Sequence, residues 1–189
     1  MAFDQVKTSQ AASHFLAKCG PDRATSILKL MKLLYLADRS FLHRFGTSIT
    51  GDRMVSMPHG PVLSQTLDLM NGAGESIPGG WDARIADRAG HIVSLHPGIS
   101  AERDDLDELS DMEINVLDEV WNTFGHMTPS QLRNYTHEHC PEWQDPCGSS
   151  IPIRAKTLFL ALGFDEDRAS AMAERLNADE RVDRVFAAL

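Results

Sequence analysis

The sequence predicts a mainly α-helical domain with a small antiparallel β element, an α+β fold in which helices carry most of the mass. Three observations predict it. Residues 25–45 carry apolar side chains at helical spacing around most of the circumference. Ser110-Asp111-Met112-Glu113 and Thr128-Pro129-Ser130-Gln131 are two capping boxes, each a marked helix start. Strand-like alternation is confined to short stretches at 53–57, 81–86 and 91–96.

Taken in order, Thr8 to Lys18 reads as a helix, with Ala11, Ala12, Phe15 and Leu16 on one side and Gly20-Pro21 as the stop. The main helix runs from Thr25 to Phe45. Ile27, Met31, Leu34, Phe41 and Phe45 make one face, and Leu30, Leu33 and Ala37 widen it. Lys29, Lys32, Arg39 and His43 form its narrow polar edge, and Gly46 is a natural C-terminal cap. Arg53 to Met57 is extended and ends at Pro58. Pro61 suits the first turn of a helix that runs to Met70. Residues 71–80, with four glycines and a proline, form a loop. Trp81 to Ala86 and His91 to His96 flank a hairpin turn at 87–90, and this hairpin is free to join Arg53–Met57 in one sheet or to stand apart.

The first capping box opens a helix with Ile114, Leu117, Val120, Trp121 and Phe124 on its apolar face. The second opens one from Pro129 to about His137. Helical stretches follow at 152–162, 165–176 and 179–188, with Gly163 as a break. The expected organisation is a compact domain over residues 1–163 and a helical C-terminal tail over 164–189, packed on the same body.

The chain has 189 residues, 42% of them apolar, enough for a real core. No run of about 18 apolar residues occurs. Met1-Ala2-Phe3-Asp4 lacks a basic start followed by an apolar block, so no secretory signal is expected and the expected compartment is the cytoplasm. Cys19, Cys140 and Cys147 are odd in number and unpaired in spacing, as reduced thiols are. The net charge is −9. Between Glu102 and Glu119, nine acids face one base, which gives −8, while residues 1–60 carry eight Lys/Arg against four Asp/Glu, or +4. The acidic run reads first as a solvated loop and helix start. Its sharper reading is a docking face for a basic partner, made by Asp104, Asp105, Asp107 and Glu108. The acidic excess also argues against nucleic acid as a partner.

Catalytic patterns are sparse. His137-Glu138-His139-Cys140 and Cys147 lack the paired spacing of a zinc site. Two histidines two apart on a helix point about 200° from each other. Cys140 with His59 or His137 has no flanking signature of a nucleophile. No Gly-x-Ser-x-Gly elbow or phosphate loop is present. No cofactor is expected. Asp38 stands out because an aspartate inside an apolar helix needs a donor, and Arg53 or the His59 region is its expected partner. Gly60, before Pro61, suits backbone angles other residues avoid. Trp143 is expected to plug its connection onto the core.

Lys29-Leu30-Met31-Lys32-Leu33-Leu34-Tyr35-Leu36-Ala37-Asp38, then Gly51-Asp52, then Met57-Pro58-His59-Gly60-Pro61-Val62 form an ordered set. Together with Leu132, Thr136-His137 and Pro141-Glu142-Trp143 they resemble the Panacea domain of SocA-like antitoxins, a domain also seen in phage-associated proteins. The resemblance covers about residues 10–160. It implies a mostly helical domain with a small β element, acting as the antidote in a bacterial or phage toxin–antitoxin pair by binding a cognate protein toxin. It implies a structural or partner-binding role for Tyr35, Asp38, Gly51, Asp52, His59, Gly60 and Pro61, and carries over no catalytic residue. One relative implies a different mechanism, an adaptor that delivers its toxin to an AAA+ protease. A hydrolase-like enzyme using the Asp38/His59 region is the competing reading from another class.

Overall fold

The computed structural model describes residues 2–186. Helix α1 (Gln5–Ala17) starts three residues before the expected Thr8, because the Asp4 carboxylate caps it by accepting from Lys7 N at 2.9 Å. Thr8, Ser9 and Ser13 are buried on α1, and each hydroxyl donates back to a backbone carbonyl of the same helix or its cap. Ser13 Oγ in addition accepts from Arg84 Nε at 3.2 Å.

Strand β1 (Ala24–Ser26) takes the first two residues expected in the main helix. Helix α2 (Ile27–Phe45) then begins at the Ser26 cap and stops at Gly46, whose φ of +72° closes the last turn. α2 is the central element: Leu30 to Asp38 are all buried, with α1, α5 and α6 around it. Strand β2 (Met54–Met57) and strand β3 (Gly60–Leu63) form a hairpin across the Pro58-His59 turn. Pro61 therefore lies in a strand rather than opening a helix, and helix α3 (Ser64–Met70) begins three residues later. The physical reason is burial. All four residues of β3 are buried, and a proline is tolerated there because β3 is an edge strand.

A short helix α4 (Trp81–Arg84) replaces the start of the expected first hairpin strand. Strands β4 (Ile85–Ala89) and β5 (Ile92–Leu95) then pair antiparallel with a bulge. Their sheet is β1-β5-β4, so this hairpin does not join β2. A 3₁₀ turn at Arg103–Asp105 leads to helix α5 (Asp111–Phe124) and helix α6 (Pro129–His139), and both expected capping boxes are formed. Strand β6 (Ile151–Pro152) pairs with β2 in a second sheet, β3-β2-β6. That pairing delays helix α7 (Ala155–Ala161) beyond the expected Pro152. Helix α8 (Glu166–Phe186) is continuous where two helices were expected; the end of the second, at Ala188, lies outside the described residues. Ala169 and Ala173 are its buried stripe, and α7 is the helix it packs on.

Candidate functional site

The two motif blocks, about a hundred residues apart, meet on one side of α2. Tyr35 and Arg39 stand one helical turn apart and both reach Glu142. The Tyr35 hydroxyl donates to Oε1 at 2.5 Å, and Arg39 Nε donates to the same oxygen at 2.6 Å. The Glu142 side chain is fully buried. Burial, then the neighbouring Glu142 charge, pushes the Tyr35 phenol well above its ordinary range, so it stays a donor. The next residue, Trp143, donates from Nε1 to Met57 O at 3.0 Å, and Gln144 N donates to Ser56 Oγ at 3.2 Å. The connection after α6 is thereby fastened to both α2 and the β2–β3 hairpin. Trp143, expected to plug the connection onto the core, is instead half-buried outside the core cluster, with its ring stacked on His137 at 4.0 Å between centroids.

Lys32 is the residue that sequence reasoning misplaced. Helical spacing set it on the polar edge of α2, yet it is 0% exposed. The β3 strand and α6 cross that edge and cover it. Its ammonium donates to Pro61 O at 2.6 Å, and burial lowers its pKa to about 7. Gly60 completes the contact. Its φ is +96°, and a Cβ there would lie 2.8 Å from Thr136 Oγ1, 2.9 Å from Lys32 Nζ and 3.2 Å from His137 Cδ2. Glycine is required twice over, by the backbone angle and by this close approach. His137 Nε2 is buried with no hydrogen-bond partner, and burial, followed by the Lys32 charge, holds the imidazole below its usual range. His59 lies exposed at the tip of the turn. Pro61 is buried beneath it.

Asp38 belongs to a separate knot. Its expected partners were Arg53 or the His59 region; instead it accepts from Ile49 N at 2.8 Å, Thr50 N at 3.1 Å and the Thr50 hydroxyl. The loop that returns from α2 folds over the carboxylate and supplies these donors at short range. Complete burial nevertheless pushes the carboxyl up to about 7, with the three donors pulling the other way. Asp52 acts similarly one loop on, accepting from Gln65 N, Thr66 N and Thr66 Oγ1 at the start of α3. Gly51, at φ +68°, lies against the Ala2 carbonyl, where a Cβ would collide. Tyr35, Asp38, Gly51, Asp52, Gly60 and Pro61 thus all face inward, in two clusters rather than one. No hydrogen bond joins Asp38 to His59.

Among the described residues, no hydrogen bond joins Cys140 to His59 or His137. Cys140 is buried, and burial followed by the Glu142 charge pushes its thiol up to about 12, the opposite of an activated nucleophile. Among the described residues, no group of three or more His, Cys, Asp or Glu is placed to hold a metal ion.

The acidic run is partly neutralised from within. Lys7 pairs with Glu113 at 2.9 Å, Lys18 with Asp118, Arg103 with Asp111, and Arg44 with Glu119, while His14, whose pKa burial lowers, is a hydrogen-bond partner of Asp118 rather than a counter-charge. Asp107 accepts from Gln10 at 2.6 Å, and Asp105 accepts from Ser100. Among the described residues, the carboxylates of Glu102, Asp104 and Glu108 are exposed and unpartnered. The candidate face of Asp104, Asp105, Asp107 and Glu108 is therefore exposed, with Asp104 and Glu108 its free charges.

These contacts define a class: a helical scaffold whose motif residues lock distant segments together and leave a charged surface outside. The family described as "Antitoxin SocA-like, Panacea domain" matches residues 30–144, and the chain belongs to it. The matched span runs from Leu30 in α2 to Gln144, so it contains both motif blocks apart from Lys29, and the contacts between them. No curated protein and no solved structure matches the chain. Among the described residues, no helix is long and apolar enough to cross a membrane.

Proposed function

We propose that this chain is an antitoxin that neutralises a cognate protein toxin by binding it directly. The observation that carries this is the match of residues 30–144 to the SocA-like antitoxin family. The geometry supports a binding mode over chemistry. Tyr35, Asp38, Asp52 and Glu142 are occupied by internal hydrogen bonds, whereas the carboxylates of Asp104 and Glu108 stand exposed without partners among the described residues. A basic toxin surface meeting these carboxylates would associate faster, because complementary charge steers encounter. Toxins that act on RNA or ribosomes carry such surfaces, since phosphate attraction demands them.

The test is a growth assay of the adjacent gene, expressed alone and then together with this chain. Arrest relieved by co-expression supports the proposal, and co-purification of the two products then shows direct contact. An adjacent product that is harmless, or toxicity that co-expression leaves intact, overturns it. Toxin half-life separates masking from delivery to an AAA+ protease: an unchanged half-life fits masking, and a shortened one that depends on the protease fits the adaptor mechanism.

A further inference from the structure

An open groove of about 540 Å³ lies between the β2 and β6 strands and helices α7 and α8. Its floor is apolar, with Leu42, Met54, Val55, Leu158 and Leu176, and its rim carries Arg53 and Arg154. Val55 lies opposite Pro152, Ser56 lies opposite Ile151, and Ile153 N donates to Met54 O at 2.9 Å. Arg53, just before β2, and Arg154, the cap residue of α7, lie immediately past these paired residues, and extending the antiparallel register by two places would set them across from each other.

Like charges directly opposite each other on a sheet destabilise it. Here nothing offsets the cost. Among the described residues, neither guanidinium has an ion-pair or hydrogen-bond partner, and both residues are exposed. The nearby charges are already engaged. Asp52 is taken up by the amides and hydroxyl at the start of α3, and Lys156 is paired with Glu166. Two free cations facing each other in a chain of net charge −9 are poorly explained by stability. They are well explained by a ligand, since paired guanidinium forks grip carboxylates through charge-assisted hydrogen bonds.

We propose that this groove docks an acidic segment of a partner protein, one that combines carboxylates for Arg53 and Arg154 with apolar side chains for the floor. The apolar floor favours protein over nucleic acid, and the open mouth favours a continuous segment over a free ion. A toxin segment of this kind would be a second contact beside the acidic face; that partner's identity rests on the antitoxin proposal, while the groove's chemistry does not.

The test is fluorescence anisotropy of a labelled glutamate–leucine peptide titrated with the full chain. The expected result is saturable binding that weakens as salt is raised, and that falls roughly tenfold or more in the double variant Arg53→Gln/Arg154→Gln. The same variant should melt at the same temperature or higher, because it removes the like-charge pair. Lack of saturable binding, equal binding by the variant, or equally tight binding of a lysine–leucine peptide or a single-stranded RNA overturns the proposal. The assay uses no toxin, so its failure and a failure of growth rescue are separate results.

Discussion

Asp38 and Asp104 are both aspartates in segments marked out as candidate sites, yet they occupy opposite environments. Asp38 is fully buried and accepts three hydrogen bonds from the loop that follows its helix. Asp104 is exposed and has no partner among the described residues. The contrast extends to whole regions. The motif around α2 uses its polar groups to hold the chain's distant segments together, and the acidic segment presents charge to solvent. The lesson is that a distinctive motif can mark architecture, while exposed and unengaged charge can lie in a segment that carries no motif at all.

The largest effect that sharpens this contrast is expected at Glu142. Glu142→Ala leaves the Arg39 guanidinium and the Tyr35 hydroxyl without their buried acceptor, and should destabilise the fold by about 3 kcal/mol or more in chemical denaturation. A loss of less than about 1 kcal/mol would move the motif from architecture to surface. Gly60→Ala comes next. It forces an L side chain to φ +96° against Lys32 and Thr136, and should cost on the order of 1–3 kcal/mol.

A pH profile of stability reads the buried pair of titrating groups on α2. Asp38 has a folded pKa of about 7, above the ordinary 3.8, so the folded state holds the proton longer and stability should fall as pH rises from about 4 to 7. Lys32 has a folded pKa of about 7, below the ordinary 10.5, so the unfolded state holds the proton longer and stability should rise from about 7 to 10.5. Each limb has a slope of up to about 1.4 kcal/mol per pH unit, with a minimum near neutrality from these two groups. Asp38→Asn should flatten the acid limb, and Lys32→Met the alkaline one. Retention of both limbs in the variants would assign the titration to other groups.

The smallest stability effect is expected on the acidic face. Asp104→Lys/Glu108→Lys should shift stability by no more than about 0.5 kcal/mol, because neither carboxylate holds a partner among the described residues. In stopped-flow or surface binding the same variant should slow association with a basic toxin, and the wild-type rate should fall with salt. Unchanged association kinetics would remove the acidic face from the interface. Large destabilisation would erase the contrast with Asp38.

Much of the fold was legible in residue order because its signals are local. The capping boxes at Ser110 and Thr128 and the Gly46 stop each depend on neighbours within one turn, and the structure places all of them as read. The apolar circumference of α2 correctly announced a central helix. The requirement for glycine at position 60 was also local in part, since a residue before proline in a tight turn is restricted.

What tertiary structure alone decided is everything that depends on which segment lies across from which. Lys32 reads as exposed from its place on the helix, but β3 and α6 cover it. Pro61 reads as a helix start, but hairpin pairing makes it a strand. Asp38 needed a donor on any reading, and only the path of the following loop supplied Ile49 and Thr50. Glu142 meets Tyr35 and Arg39 across more than a hundred residues, and Val55 meets Pro152 only through the pairing of β2 with β6. Sequence encodes helix starts and stops through contacts a few residues apart. Long-range pairs are set by how whole elements pack, and that information is spread over every buried surface at once.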